Sequence, residues 1–425
     1  MRARRFLLPL AVLLSVSIPV ASLLASPSGG EWIESHKLTA SDGTAIDHFG
    51  NSVAISGNTA IVGANSDNHA GANAGSAYLF DVTTGNQLFK LTANDATAEE
   101  YFGTSVDISG DAAIVGAYWE VNAGSISGSA YLFDVTTGNQ LLKLTASDAA
   151  HLDHFGYSVA ISGNTAIIGA LGDDDAGSLS GSAYLFDMTT GSQLLKLAAN
   201  DATAEDYFGV SVAISGNTAI VGASGDDDAG SRSGSAYLFD VTTGNQLFKL
   251  TASDAGDAKR FGKSVAISGN TAIVGSHWNS DAGSKSGSAY LFDVTTGNQL
   301  FKLTASDAAE YDEFGLSVGI WDDMAIVGAG WNDDAGTDSG SAYLFDVTTG
   351  NQLTKLTAKD SAEFDYFGYS VDIGGNAAIV GAYRDDDAGS DAGSAYIFVP
   401  EPSNFILLAT GALGLLACGW RKRRS

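Results

Sequence analysis

Apolar residues in this chain fall in short runs punctuated by Gly, Asn and Asp, and the same runs return at a constant distance. In one stretch, Ser211-Val-Ala-Ile-Ser215 and Thr218-Ala-Ile-Val-Gly-Ala223 flank Gly216-Asn217, and Ser235-Ala-Tyr-Leu-Phe-Asp240 runs through Val-Thr-Thr-Gly-Asn into Gln246-Leu-Phe-Lys-Leu-Thr251. β-Branched and aromatic residues bounded by turn formers predict four short strands. Period-two alternation is weak in the first three, as in strands covered on both faces. Phe-Gly pairs mark the unit. They stand at Phe49, Phe102, Phe155, Phe208, Phe261, Phe314 and Phe367, each 53 residues after the one before, so the unit occurs seven times without an insertion.

A four-stranded sheet repeated in this way covers both faces by stacking on its neighbours around an axis, which predicts an all-β, seven-bladed β-propeller over residues 31–399. Ala213, Ala219 and Gly222 suit the crowded centre, and Lys249 suits the solvated rim. The seventh copy ends after Ser394-Ala-Tyr-Ile-Phe398 without a fourth strand. Ahead of the first Phe-Gly, Trp32-Ile-Glu-Ser-His-Lys-Leu38 has the form of that missing strand and is expected to complete the last blade. An open solenoid would instead carry dedicated caps.

Composition supports the picture: 52 Gly, 5 Pro and 45% apolar residues suit strands and tight turns around a real core. Charge changes it. Against 21 Lys and Arg stand 49 Asp and Glu, a net charge of −28, which disfavours nucleic acid as a partner. The loops between strands two and three, and those from one unit to the next, leave an up-and-down sheet on the same side and carry most of these carboxylates. Runs at Asp173, Asp174 and Asp175, at Asp226, Asp227 and Asp228, at Asp333 and Asp334, and at Asp385, Asp386 and Asp387 offer the hard oxygens that calcium takes. A solvated acidic face is the other reading of the same residues. If calcium binds, it is expected to raise the melting temperature. The loops also differ among copies more than the strands do. Trp119, Trp278 and Trp331 share one loop position, and Tyr118 stands beside the first; an exposed indole next to carboxylates suits stacking on sugars or anchoring a protein partner.

Both ends read as targeting segments. Residues 1–25 pass from Arg2, Arg4 and Arg5 through an apolar run to small residues, the order of a secretory signal peptide. Residues 400–425 open on Pro400, Glu401 and Pro402, continue in an apolar run at 405–420 and stop at Arg421-Lys422-Arg423-Arg424. This tail resembles the PEP-CTERM sorting signal. The resemblance implies processing by an exosortase-type membrane protease in a Gram-negative bacterium, with the body exported to the cell surface or beyond and held at the inner membrane only through the tail before cleavage. A plain C-terminal membrane anchor is the alternative. The lone Cys418 excludes a disulfide framework within the chain and a cysteine metal site.

Phe-Gly, then Ser-Val-Ala, Ile-Val-Gly-Ala and Gly-Ser-Ala-Tyr-Leu-Phe, resemble the FG-GAP repeat of integrin α-chain propellers and many bacterial surface proteins. The proline expected after Gly-Ala is absent, with Asn65, Tyr118, Leu171, Ser224, Gly330 or Tyr383 in its place. The Asp-rich calcium hairpin between strands one and two is absent too, so calcium at that place does not carry over. Catalysis finds little support. His48 and His154 occupy a position that elsewhere holds Tyr101, Tyr207, Arg260, Glu313 and Tyr366, and no supported nucleophile elbow occurs. The sequence therefore reads as a noncatalytic exported propeller binding extracellular polysaccharide, matrix or protein through its acidic loop face, with calcium as the candidate cofactor. A polysaccharide hydrolase or lyase on the same face is the alternative.

Overall fold

The computed structural model describes residues 31–122 and 125–401. The expected signal peptide, the apolar run at 405–420 and Pro402 lie outside the described residues. Seven four-stranded antiparallel sheets form, six of them in simple sequential order, as in Phe208–Ser215, Thr218–Ala223, Ser235–Asp240 and Gln246–Leu250. The second and third strands of each sheet are almost wholly buried, which is why their sequences show little alternation; the innermost strand mixes buried and partly exposed positions, and the fourth is mostly partly exposed. Among the described residues there is no helix. The loop between strands two and three of the second blade adds a small hairpin, Val121–Asn122 with Ser125–Ile126.

The ring closes as the sequence predicts. Trp32–Leu38 pairs antiparallel with Ser394–Pro400, placing Lys37 opposite Tyr396 just as Lys249 stands opposite Tyr237 within a continuous blade. Side-chain ties copy the same register: the Lys359 amide donates to Glu34 Oε2 at 2.9 Å, as the Asn200 amide does to Gln246 Oε1 at 2.9 Å. The last strand takes in Pro400, which lies opposite Trp32.

Apolar burial is organised between blades rather than in one central core. Ile167 and Leu185 of the third blade meet Phe208, Val221 and Tyr237 of the fourth. Across the closure, Ile379 and Ile397 meet Phe49, Val62 and Tyr78, so the seventh blade packs on the first with an equivalent cluster. The repeated Phe is fully buried, and truncating one to Ala should cost about 3–5 kcal/mol. Close approach of neighbouring sheets needs glycine: a Cβ on Gly222 would strike the carbonyl oxygen of Gly262 in the next blade. A channel runs down the axis, lined by the innermost strands of all seven sheets. Towards its far end Ala213 stands among the lining residues with Asp107 and Asp372.

Candidate functional site

The loop face consists of two concentric rings. In the outer ring each fourth strand contributes one lysine: Lys37, Lys90, Lys143, Lys196, Lys249, Lys302 and Lys355. Antiparallel pairing puts each beside the buried tyrosine of strand three, and Lys249 Nζ lies 5.4 Å from the Tyr237 ring centroid. From there the ammonium reaches up to both sets of loops. Lys249 donates to Asp201 on the incoming loop at 2.8 Å, and to Asp226 and Asp228 on the loop between strands two and three at 2.8 and 2.6 Å. The Tyr237 hydroxyl donates to the same Asp226 at 2.8 Å. Lys196 holds Asp148, Asp173 and Asp175 in this manner, and Lys37 holds Asp360, Asp385 and Asp387. Elsewhere the acceptors vary while the lysine persists: Asp95 and Glu120 for Lys143, Asp254 and Asp281 for Lys302, and Asp307, Asn332 and Asp334 for Lys355. Lys90 takes Asp42 and Asp67, with His69 hydrogen-bonded to Asp67.

Electrostatics follow from this geometry. Burial raises the pKa of Asp67, but hydrogen bonds from Lys90, the His69 amide and Tyr78 outweigh it and hold the carboxyl below the usual range. Burial disfavours the Lys37 ammonium, yet bonds to Asp360, Asp385 and Asp387 carry its pKa above the ordinary value. Lys249, expected at the solvated rim, is thus drawn into a charged network on the loop face. Its recurrence in every copy, in six of them 48 residues after an aspartate, was the available signal.

The aspartates singled out for calcium divide by position. Asp173, Asp226 and Asp385 are buried, and with the exposed Asp175, Asp228, Asp334 and Asp387 they point at a lysine. Asp174, Asp227, Asp333 and Asp386 are exposed, and the last two accept the amides of Asp338 and Asp391 at 2.8 and 2.7 Å. Oxygens of Asp148, Asp173 and Asp175 lie within 4.8 Å of one another, as do those of Asp201, Asp226 and Asp228 and of Asp360, Asp385 and Asp387, so these clusters could hold a metal ion. Calcium asks for six to eight oxygens. The place among the three carboxylates belongs to the lysine ammonium, which calcium would have to displace; the donor set as folded fits the ammonium.

Inside this ring the copies differ. The residue after each Phe-Gly, at the channel mouth, is Asn51, Thr104, Tyr157, Val210, Lys263, Leu316 or Tyr369. The three tryptophans expected as exposed are half-buried. Trp119 stacks on His154 with centroids 5.1 Å apart, and Tyr118 meets both His154 and Tyr157 edge-on. Trp331 stands against Tyr366 and Tyr369, and Tyr369 lies 4.4 Å from Tyr383. Trp278 donates its indole N–H to Glu313 at 3.2 Å and carries Lys285 and Arg260 over its ring. The structure therefore joins Tyr118 and Trp119 in one aromatic cluster, puts Trp331 in a second, and sets Trp278 among cations. Tyr157, Tyr369 and Tyr383 were not foreseen, although the variability of their repeat positions was visible. A cavity of about 210 Å³ lies at the mouth between His48, Asn51, Thr104, Tyr157, Tyr369 and Tyr383, with Asn65 completing its wall.

The FG-GAP repeat matches residues 32–80, 86–133, 139–186, 192–239, 245–292, 298–345 and 351–398. Each matched segment runs from a fourth strand to the next third strand, the phase set by the closing strand. No curated protein matches the chain closely enough to count as a relative. With matched segments in every blade and over most of its length, the chain belongs to the FG-GAP repeat family.

Proposed function

We propose that the protein is a noncatalytic, exported binding module that engages extracellular polysaccharide through the inner ring of its loop face. Membership of the FG-GAP repeat family supports a binding or adhesion-type role. The observation that carries the finer reading is the crowding of aromatic side chains around the channel mouth, at repeat positions where the copies differ. Tyr118, Trp119, Tyr157, Tyr369 and Tyr383 offer apolar ring faces with polar edges, the surface that suits sugar rings. Export rests on the basic, apolar and small segments of the N-terminus, and display outside the cell on the Pro400-Glu401-Pro402 tail, processed by an exosortase-type protease. The outer carboxylates are engaged by lysine, so the proposal assigns them neither catalysis nor a calcium requirement.

Glycan arrays probed with the full chain test this reading. Replacing Trp119, Trp278 and Trp331 together with Ala should weaken capture by about tenfold or more, with the fold checked by thermal melting. Undiminished capture by that variant would remove the inner ring from the function. Release of shortened or unsaturated products from a captured glycan would favour the alternative, a hydrolase or lyase.

A further inference from the structure

A cavity of about 380 Å³ opens on the loop face beside the channel. That volume falls within the range of about 300–1,000 Å³ usual for small-ligand sites. Tyr118, His154 and Tyr157 contribute from the second and third repeats, and Arg260, Lys263 and Trp278 from the fifth. Among the described residues no carboxylate lines it, on a chain with 49 Asp and Glu against 21 Lys and Arg.

Arg260 and Lys263 stand apart from the other cations. Every other lysine and arginine among the described residues reaches a carboxylate within 4.0 Å. These two have no such carboxylate among the described residues; instead Arg260 lies 5.0 Å from the Trp278 ring and Lys263 lies 5.9 Å from the Tyr157 ring. Their equivalents in the other copies include no other lysine or arginine, so the pair is particular to the fifth repeat. Two buried nitrogens add a second, independent observation. His277 lines the cavity at 7% exposure with Nδ1 unpartnered, and His154 Nε2 is likewise without a partner. Burial, reinforced by Lys263, Arg260 and Lys285, lowers the pKa of His277 to about 3, so it stands neutral and able to meet a hydroxyl. A buried polar atom without a partner is costly, and a ligand hydroxyl would remove that cost once a small shift of the wall opened these nitrogens, which are closed off as folded, to the cavity.

We infer that this cavity binds an acidic sugar, with its carboxylate on Arg260 and Lys263 and its ring against the aromatic walls. The inference rests on the polysaccharide reading above and names the class of sugar. A guanidinium takes a carboxylate through two parallel hydrogen bonds, and the lysine adds a point charge. Aromatic rings beside orphaned imidazole nitrogens favour a hydroxylated ring with an apolar C–H face over an acidic peptide. The net charge of −28 opposes approach at long range, but screening within about 8 Å at physiological salt leaves the contact cations to decide affinity.

Oligogalacturonate and its methyl ester, which share the same hydroxylated rings and differ at the carboxyl group, provide the test, read by calorimetric titration of the full chain. The acid should bind roughly 10- to 100-fold more tightly than the ester. Arg260→Gln with Lys263→Met should abolish that preference, whereas Lys359→Gln, at a cation paired with Glu34, should leave it intact. Should the double variant melt abnormally, Lys263→Gln alone should still reduce the preference. Equal binding of acid and ester, or a preference that survives the double variant, would overturn the inference while sparing the polysaccharide reading. Capture of an acidic peptide without oligogalacturonate would overturn it in favour of a protein partner. If no glycan binds, both fall.

Discussion

The two rings of the loop face are built on the same repeat and follow opposite rules. In the outer ring a lysine recurs in all seven blades and gathers acceptors from two loops, so the loop arriving from one blade is tied to the outer strand of the next. In the inner ring the equivalent positions hold His, Tyr, Arg or Glu, and Asn, Thr, Tyr, Val, Lys or Leu. Repetition marks what each blade needs in order to stay in the ring. Divergence marks where one blade can do something its neighbours do not. Charge follows the same division: carboxylates are matched with lysine outside, while the two cations without carboxylate partners lie inside.

The hardest test of the outer rule is the closure, where one blade obtains its lysine from the other end of the propeller. Deleting residues 31–38 removes Lys37 and Trp32 together and exposes the outer side of the seventh blade. The expected result is loss of the cooperative melt and aggregation, seen by calorimetry and size-exclusion chromatography. A deletion variant melting like the intact chain would show that closure contributes little. Next in size comes Lys196→Met, which strands Asp173 in a buried position beside Asp148 and Asp175. Breaking a buried pair costs about 3–5 kcal/mol, and the ammonium's partial exposure places this loss near the lower end, about 3 kcal/mol in chemical denaturation. The inner-ring change Lys263→Gln should move stability by no more than about 0.5 kcal/mol. Equal losses would erase the distinction between the rings.

The strands, their number and the identity of the closing strand were legible because a constant period makes every copy a test of the others. Phe208 and Gly222 could be read as packing residues from one repeat and checked against six more. The lysine's role was not legible from Lys249 alone, since Asp201 lies far back in the chain and approaches only when consecutive blades stack. Lysine also has enough length to serve either rim or face, and polarity does not choose between them. Trp119 could be placed in a loop, but its half burial depends on His154 from the next repeat lying against it. The pairless state of Arg260 and Lys263 was hidden for the same reason: a sequence count shows an acidic excess, not where carboxylates are missing.

Acid titration separates the carboxylates bonded to the outer-ring lysines from those buried without a lysine bond. In Asp148, Asp201 and Asp360 burial raises the pKa, but hydrogen bonds and charge from Lys196, Lys249 and Lys37 lower it further, leaving each below the ordinary value. Their stabilisation is present above the unfolded carboxylate pKa, about 4, and is lost as pH falls through the folded values. Burial raises Asp107 to about 7; burial and the charge of Asp107 raise Asp372 to about 7; and burial raises Asp365 to about 6. Their contribution has the opposite sign: it is complete below about pH 4 and disappears as pH rises through 6 to 7. Melting temperature should therefore peak near pH 4 to 5, and Asp107→Asn with Asp372→Asn should lift the neutral arm. A melt independent of pH between 5 and 8 in the native chain would contradict this division.

Calcium should have almost no effect on the native chain and gives the finest comparison, because the same three carboxylates can be offered with and without their lysine. In the native chain an incoming ion must displace Lys196 from contacts of 2.8, 2.8 and 2.5 Å, so 10 mM calcium should leave the melting temperature within about 1 °C of its value in chelator. Lys196→Met removes the competing charge and leaves Asp148, Asp173 and Asp175 close enough to share an ion. If that variant binds calcium near 1 mM, as weak extracellular sites do, 10 mM should return about 1.4 kcal/mol of stability. Magnesium should return less, since it holds its water more tightly and demands a stricter octahedron. Equal stabilisation of native chain and variant would mean that the ammonium is no obstacle, and the outer ring would then have to be regarded as a set of exchangeable cation sites.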